Sequence, residues 1–170
     1  MKYYIGDYWA MANSCNPEIR EEGKTRWVET AKEYGPYFET IRDKLPKGFM
    51  KEFDKNNWFH DFTIDIVNIV NIGKKTSTIE FHISHGESGF IITLSGVTGI
   101  SVNIPNTECW LFGKLTWGYT EFELIDEKKW IVRILCDIEC ELEIHFRRIS
   151  IKKLSANSRG TATSAITPTR

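Results

Sequence analysis

The sequence has no long apolar run, no Cys-x-x-Cys pair, no excess of one charge sign and no catalytic glycine motif, and each absence removes a class of function. Its longest apolar-leaning stretch, residues 62–72, contains Asp65, Asn68 and Asn71. That falls far short of the ~20 residues a helix needs to cross a bilayer, so no membrane partner is expected. The first twelve residues lack a basic stretch leading into an apolar one, because Asp7 and four Tyr or Trp residues interrupt them, and no export signal is read. Cys15, Cys109, Cys136 and Cys140 are spaced neither as a zinc site nor as a redox pair, which suits reduced thiols in the cytoplasm.

With 22 basic against 23 acidic residues the net charge is −1, and the basic excess needed to neutralise many phosphates is missing. Nucleic acid is not expected as a partner. No Gly-x-Ser-x-Gly elbow, phosphate-binding loop or dinucleotide glycine pattern occurs. No catalytic residue, metal ligand or cofactor is therefore assigned.

What is present specifies an α+β domain. The length, 170 residues, can enclose one sizeable core, burying roughly 70% of the unfolded chain's surface. Asn16-Pro17 reads as a helix start, because Asn accepts from an unpaired amide and Pro has none to leave unpaired. After it Trp27, Ala31, Tyr34, Phe38, Ile41 and Leu45 recur at helical spacing and make one core-facing stripe. Gly35-Pro36 is expected to kink this helix or divide it, since Pro36 cannot donate to residue 32. Pro46 ends it. A brief helix is expected over residues 47–55, with Phe49 and Phe53 one turn apart, and a small opening helix over residues 7–14.

From Trp58 the period changes to 2 and β-branched residues become dense, which predicts a mostly antiparallel sheet or sandwich against which the N-terminal helices pack. Strands are expected at residues 62–66, 78–84, from Phe90 and over 97–104. A meander follows over residues 119–125, 130–136 and 141–151. The alternation from Val132 to Phe146 is too long for one strand, so a tight turn is expected near residues 137–139. The phase reverses at Arg147-Arg148, which predicts a bulge or bend. The reading is one domain over residues 1–153, helical over 1–57 and sheet over 58–153. Residues 154–170, rich in Ser, Thr, Ala and Gly, form an unordered or appended tail.

Charge is unevenly placed. Residues 119–146 carry Glu121, Glu123, Asp126, Glu127, Asp137, Glu139, Glu141 and Glu143 against Lys128, Lys129 and Arg133. The meander is therefore expected to present an acidic outer face that steers a basic protein, unless it is simply a solvated strand face with edge protection. Trp110 and Trp117, beside Gly113 and Gly118, are read as part-exposed apolar anchors for that partner. His60-Asp61, with His82 and His85, supplies the competing reading, a small-ligand-binding module or metal-assisted hydrolase. Adjacent strand residues point to opposite faces, so His60 and Asp61 are not expected to act on one ion together.

The order Met1-Lys2-Tyr3-Tyr4, Lys44-Leu45-Pro46, Phe59-His60-Asp61, Trp110-Leu111-Phe112, Phe122-Glu123-Leu124 and Glu143-Ile144-His145-Phe146 resembles an uncharacterised bacterial family. Opening a β domain on His-Asp is also similar to immunity proteins that neutralise bacterial toxins. The resemblance runs from Met1 to Lys153 and implies an α+β fold with an antiparallel sheet and no activity to transfer. The chain departs from the pattern at residues 114–119, where the family is more acidic, and in its polar tail. The functional expectation is a non-enzymatic cytoplasmic interaction protein, an immunity-type inhibitor of a basic toxin, with Glu121, Glu123, Glu141, Glu143, Trp110 and Trp117 as its contact residues.

Overall fold

In α2 (Pro17–Ile41), Asn16 Oδ1 accepts from the Glu18 and Ile19 amides at 2.9 and 3.4 Å, and Pro17 fills the first helical position. The helix continues unbroken through Pro36, which withholds one hydrogen bond without ending it. The chain is therefore not divided at Gly35-Pro36. The computed structural model describes residues 1–70, 77–104, 115–137 and 140–154. Expectations that fall on Cys109, Trp110, Gly113, the centre of the 137–139 turn and the tail beyond Leu154 lie outside these residues.

Two further helices flank α2. α1 (Gly6–Ala12) crosses it closely, since a β-carbon on Gly23 would stand 2.3 Å from the Ala12 amide nitrogen. α3 (Lys47–Lys55) buries Phe49, Met50 and Phe53. Tyr34, Phe38, Ile41 and Leu45 of the stripe are buried, with Trp27 and Ala31 packed partly against the same core. None of these helices is long and apolar enough to cross a membrane.

Eight antiparallel strands follow: β1 (Phe62–Val70), β2 (Ser77–His85), β3 (Ser88–Val97), β4 (Gly99–Asn103), β5 (Thr116–Asp126), β6 (Lys129–Cys136), β7 (Glu141–Phe146) and β8 (Arg148–Lys153). Their order in the sheet is β4-β7-β6-β5-β1-β2-β3-β8. The fold is thus α+β, with N-terminal helices on an antiparallel sheet. Strands β5, β6 and β7 form the expected meander, but β8 leaves it and pairs with β3. The bend at Arg147 that the phase reversal predicts is where the chain departs.

The two ends of that strand order meet. β3 runs into β4 across Thr98, β7 runs into β8 across Arg147, and the two limbs pair along their length: Phe90 with Lys153 to Ser95 with Arg148, then Gly99 with His145 to Asn103 with Glu141. Between these sets the β3–β4 limb holds one extra residue. The Thr98 amide donates to His145 O and the Arg147 amide to Ser95 O, both at 3.0 Å, so the ladder continues round the corner. Gly96 sits there at φ 69°, and a side chain would meet Arg147 Cβ at 3.0 Å, so the bulge requires glycine. Through this ribbon the sheet folds back on itself, with strands passing from one half to the other at a bulged corner.

The other seam stays partly open, and the helices fill it. β1 and β5 pair only at Phe62 with Trp117 and Thr63 with Thr116. Further along β5, the Phe122 and Leu124 amides donate instead to the hydroxyls of Tyr34 and Tyr37 at 2.7 and 3.1 Å. Buried backbone donors must find acceptors, and two phenols of α2 stand in for the missing strand. Behind them the rings of Phe38, Phe49 and Phe53 surround Phe122 at 6.2, 5.7 and 5.7 Å. Burial raises the Tyr34 hydroxyl well above its ordinary pKa, so it remains a neutral acceptor for the amide.

Candidate interaction surface and the His60–Asp61 recess

Register places the acidic residues in rows on the outer face of the meander. Arg133 of β6 is flanked by Glu121 of β5 and Glu143 of β7, and the next rows hold Glu123 and Glu141. Alternate residues of a strand share a face, so these side chains are neighbours because of the pleat. Arg133 Nε lies 2.6 Å from Glu143 and its Nη1 2.7 Å from Glu123, with Glu121 at 4.0 Å. Lys2 approaches Glu123 at 3.3 Å, the amino group of Met1 lies 2.5 Å from Glu141, and His145 Nε2 is 2.9 Å from Glu143. The face is therefore an ion-pair network in which each of the four carboxylates has a partner within the chain.

Glu121 differs from the other three. It is 1% exposed, and its carboxylate accepts from the amides of Lys2, Tyr3 and Tyr4 at 2.9, 2.7 and 2.6 Å. It anchors the N-terminal segment over the meander and is not a surface contact. Partial burial acts to raise the Glu123 carboxyl, yet the hydrogen bond and charge of Arg133, joined by Lys2, hold it below the ordinary carboxylate range. The His145 hydrogen bond, followed by Arg133 and against some desolvation, holds Glu143 low. Burial, with the Glu121 charge, pushes the Tyr4 hydroxyl up to about 12.

Trp117 is also interior. It lies within β5 rather than a loop, is 3% exposed, and donates its indole N–H to Thr120 at 2.7 Å. Its expected exposure is corrected: Gly118 beside it marks a bulge, where a β-carbon would stand 2.5 Å from Leu135 O, and not an open loop. Large apolar exposure occurs elsewhere. On β1, Ile66, Val67, Ile69 and Val70 are each 40–47% exposed, and on β4 Ile100 and Val102 are 43% and 50% exposed.

His60 and Asp61 are brought together, contrary to the alternation expected of a strand. Asn57, Trp58, Phe59 and Asp61 have φ of 51°, 58°, 61° and 70°, a run of left-handed residues none of which is glycine. For Trp58 and Phe59 such a conformation costs roughly 1–2 kcal/mol each, whereas Asn57 and Asp61 adopt it more readily. Phe59 is fully buried among Phe49, Phe53, Phe62, Phe90 and Trp117, which holds the run in place. The turn leaves His60 Nδ1 3.0 Å from Asp61 Oδ1 and the His60 ring edge-on to Tyr119 at 4.9 Å. Burial, with the Asp61 charge second, raises the Tyr119 hydroxyl. Two recesses adjoin here, sharing His60, Gly118 and Tyr119.

The other histidines do not join them. His82 lies between Ile66 of β1 and Ile91 of β3, its Nε2 buried without a hydrogen-bond partner among the described residues, and His85 packs 5.4 Å from Phe62. Among the described residues no three His, Cys, Asp or Glu side chains gather to hold a metal ion. Cys136 and Cys140 are buried, and the Cys140 hydrogen bond together with burial raises the Cys136 thiol, which leaves it a poor nucleophile. No signal in the sequence pointed to the Tyr34 and Tyr37 hydroxyls or to the buried state of Glu121, because their partners lie 87–119 residues away. No family model matches the chain, and no curated protein matches it.

Proposed function

We propose that the chain is a non-enzymatic interaction protein of the cytoplasm that binds a protein partner, and that it acts as an immunity-type inhibitor of a basic bacterial toxin. The observation that carries this reading is the half-exposed run Ile66, Val67, Ile69 and Val70, four β-branched residues exposed on both faces of one strand. Isolated exposed hydrophobics are ordinary, but a contiguous strand of them is the kind of surface that a partner protein covers. The acid excess of residues 119–146 supports a basic partner, drawn by charge and fixed by apolar contact. Within the expected contact set, Glu123, Glu141 and Glu143 stay accessible to such a partner, while Glu121 and Trp117 serve the interior.

The test is capture from host lysate on the immobilised chain at low and high salt, with two variants in parallel. Val67→Lys/Ile69→Lys places charge on the exposed strand, and Glu141→Gln/Glu143→Gln removes charge while keeping acceptors for the Met1 amino group and Arg133. The expected result is one basic protein that is retained at low salt, released by high salt, and lost from both variants. Retention that neither salt nor either variant alters, or no retained protein at all, would overturn the proposal.

A further inference from the structure

We infer that the paired recesses at His60–Asp61 form a binding site for a small organic ammonium ion. The smaller recess, about 80 Å³, is lined by Trp9, His60, Asp61, Gly118, Tyr119 and Asp137, among others. The larger, about 300 Å³, lies across His60 and Tyr119 and is walled by Tyr4 and Trp58. The smaller has several times the room that one water needs, which suits an alkylammonium head. The larger has the volume and aromatic walls of a site for an apolar body.

The sign of the ligand's charge follows from the lining. Asp61 and Asp137 supply two carboxylates, and no lysine or arginine lines either recess among the described residues. Among the described residues each carboxylate has one oxygen engaged and the second open to a guest: Asp137 Oδ1 accepts the Thr116 amide at 2.7 Å, and His60 meets one oxygen of Asp61. Asp61 is 69% exposed at the rim, where it meets an arriving cation. Trp9, Tyr119 and Trp58 add aromatic surface, which attracts cations through the ring quadrupole. Among the described lining residues an anion would find no lysine or arginine, and a neutral guest would gain nothing from the two carboxylate charges.

The recess is a built feature. His60 steadies the Asp61 carboxylate, and Gly118 permits β5 to approach Leu135 O more closely than any side chain would allow. This site is separate in function from the protein-binding surface proposed above and does not depend on it.

The experiment is a titration of the full chain with tert-butylammonium chloride and with tert-butanol, which share a shape and differ in charge, followed through the indole N–H resonances of Trp9, Trp58 and Trp117. Tert-butylammonium is expected to produce a saturable shift at Trp9, and tert-butanol none at matched concentration. Asp61→Asn and Asp137→Asn should each weaken binding about fivefold, the scale of one partly exposed ion pair. The carboxamide that Asp137→Asn introduces can still accept the Thr116 amide, and wild-type spectral dispersion will certify the fold. Equal shifts from tert-butanol, shifts that never saturate, or unchanged affinity in the Asp61→Asn/Asp137→Asn double variant would each overturn the inference. The first comparison needs no variant at all.

Discussion

Replacing Glu121 with alanine removes the acceptor that the amides of Lys2, Tyr3 and Tyr4 share at 2.9, 2.7 and 2.6 Å. Hydrogen bonds to a charged group contribute about 1.5–3 kcal/mol each, so a simple sum over three would reach roughly 4.5–9 kcal/mol. The true loss is smaller, because a terminal segment that detaches gives its amides back to water. What is not regained is the burial of Tyr4, 7% exposed and ringed by Trp27, Tyr34 and Tyr119 at 5.2, 5.6 and 5.3 Å. Arg133 also loses one of its neighbouring charges. A net cost of about 3–5 kcal/mol is expected, near the lower end of that sum, because the released amides are rehydrated while Tyr4 loses its burial. At about 2–4 °C per kcal/mol for a domain of this size, Tm should fall by roughly 6–20 °C. Glu121→Gln keeps an acceptor oxygen and should lose about half as much. Urea unfolding gives the free energy, and amide hydrogen exchange at Tyr4 reports whether the segment has detached. An alanine variant within about 1 kcal/mol of wild type, with the Tyr4 amide still protected, would refute the anchoring argument and return Glu121 to the surface.

Tyr34→Phe leaves the buried Phe122 amide without an acceptor and should cost about 1–3 kcal/mol by urea unfolding, whereas no measurable loss would mean the β5 seam is sealed by packing alone. Gly23→Ala should destabilise the protein by about 1–3 kcal/mol, although alanine is the better helix former by ~1 kcal/mol, because its β-carbon collides with Ala12 and Met11. A raised Tm would show that α1 does not cross at that point. Acidification should unfold the protein through the Arg133 network. Glu143, held low in the fold, contributes stability above its ordinary value of 4.5 that is lost as pH falls through its folded value. Arg133→Met should lower stability at neutral pH and flatten its decline between neutral pH and pH 3. Parallel pH profiles for variant and wild type would sink that assignment.

Much of the architecture can be read from local pattern, and the reason is periodicity. The Tyr34, Phe38, Ile41 and Leu45 stripe is buried, the helix over residues 47–55 has its expected bounds, and the even-numbered apolar residues of β6 and β7 face the core. The reversal of phase at Arg147 marks a real corner. Periodicity does not name a strand's neighbour, so β8 reads as a continuation of the meander although it pairs with β3 across 63 residues at Phe90 and Lys153. The site was less legible for a related reason. Glu121 occupies an outward strand position like Glu123, and only the N-terminal segment folding over it makes it interior. Strand alternation also separates His60 from Asp61, and the left-handed turn that joins them contains no glycine to announce it. Pro36 could not reveal that its neighbouring turns would hold α2 together.

The ribbon of β3–β4 against β7–β8 means that the chain is assembled from two interlocked halves. One half, residues 1–104, carries the helices and the strands up to β4, and the other, residues 115–154, carries β5 to β8. Every contact along the ribbon, and the short β1–β5 seam, joins one half to the other. Neither half alone can pair its outermost strands, so each separated piece would expose the edges that the other covers. Two polypeptides cut within residues 105–114 therefore have what they need to recombine into one fold, as reporter fragments do. A reporter inserted at that position would turn the ribbon into a readout of assembly.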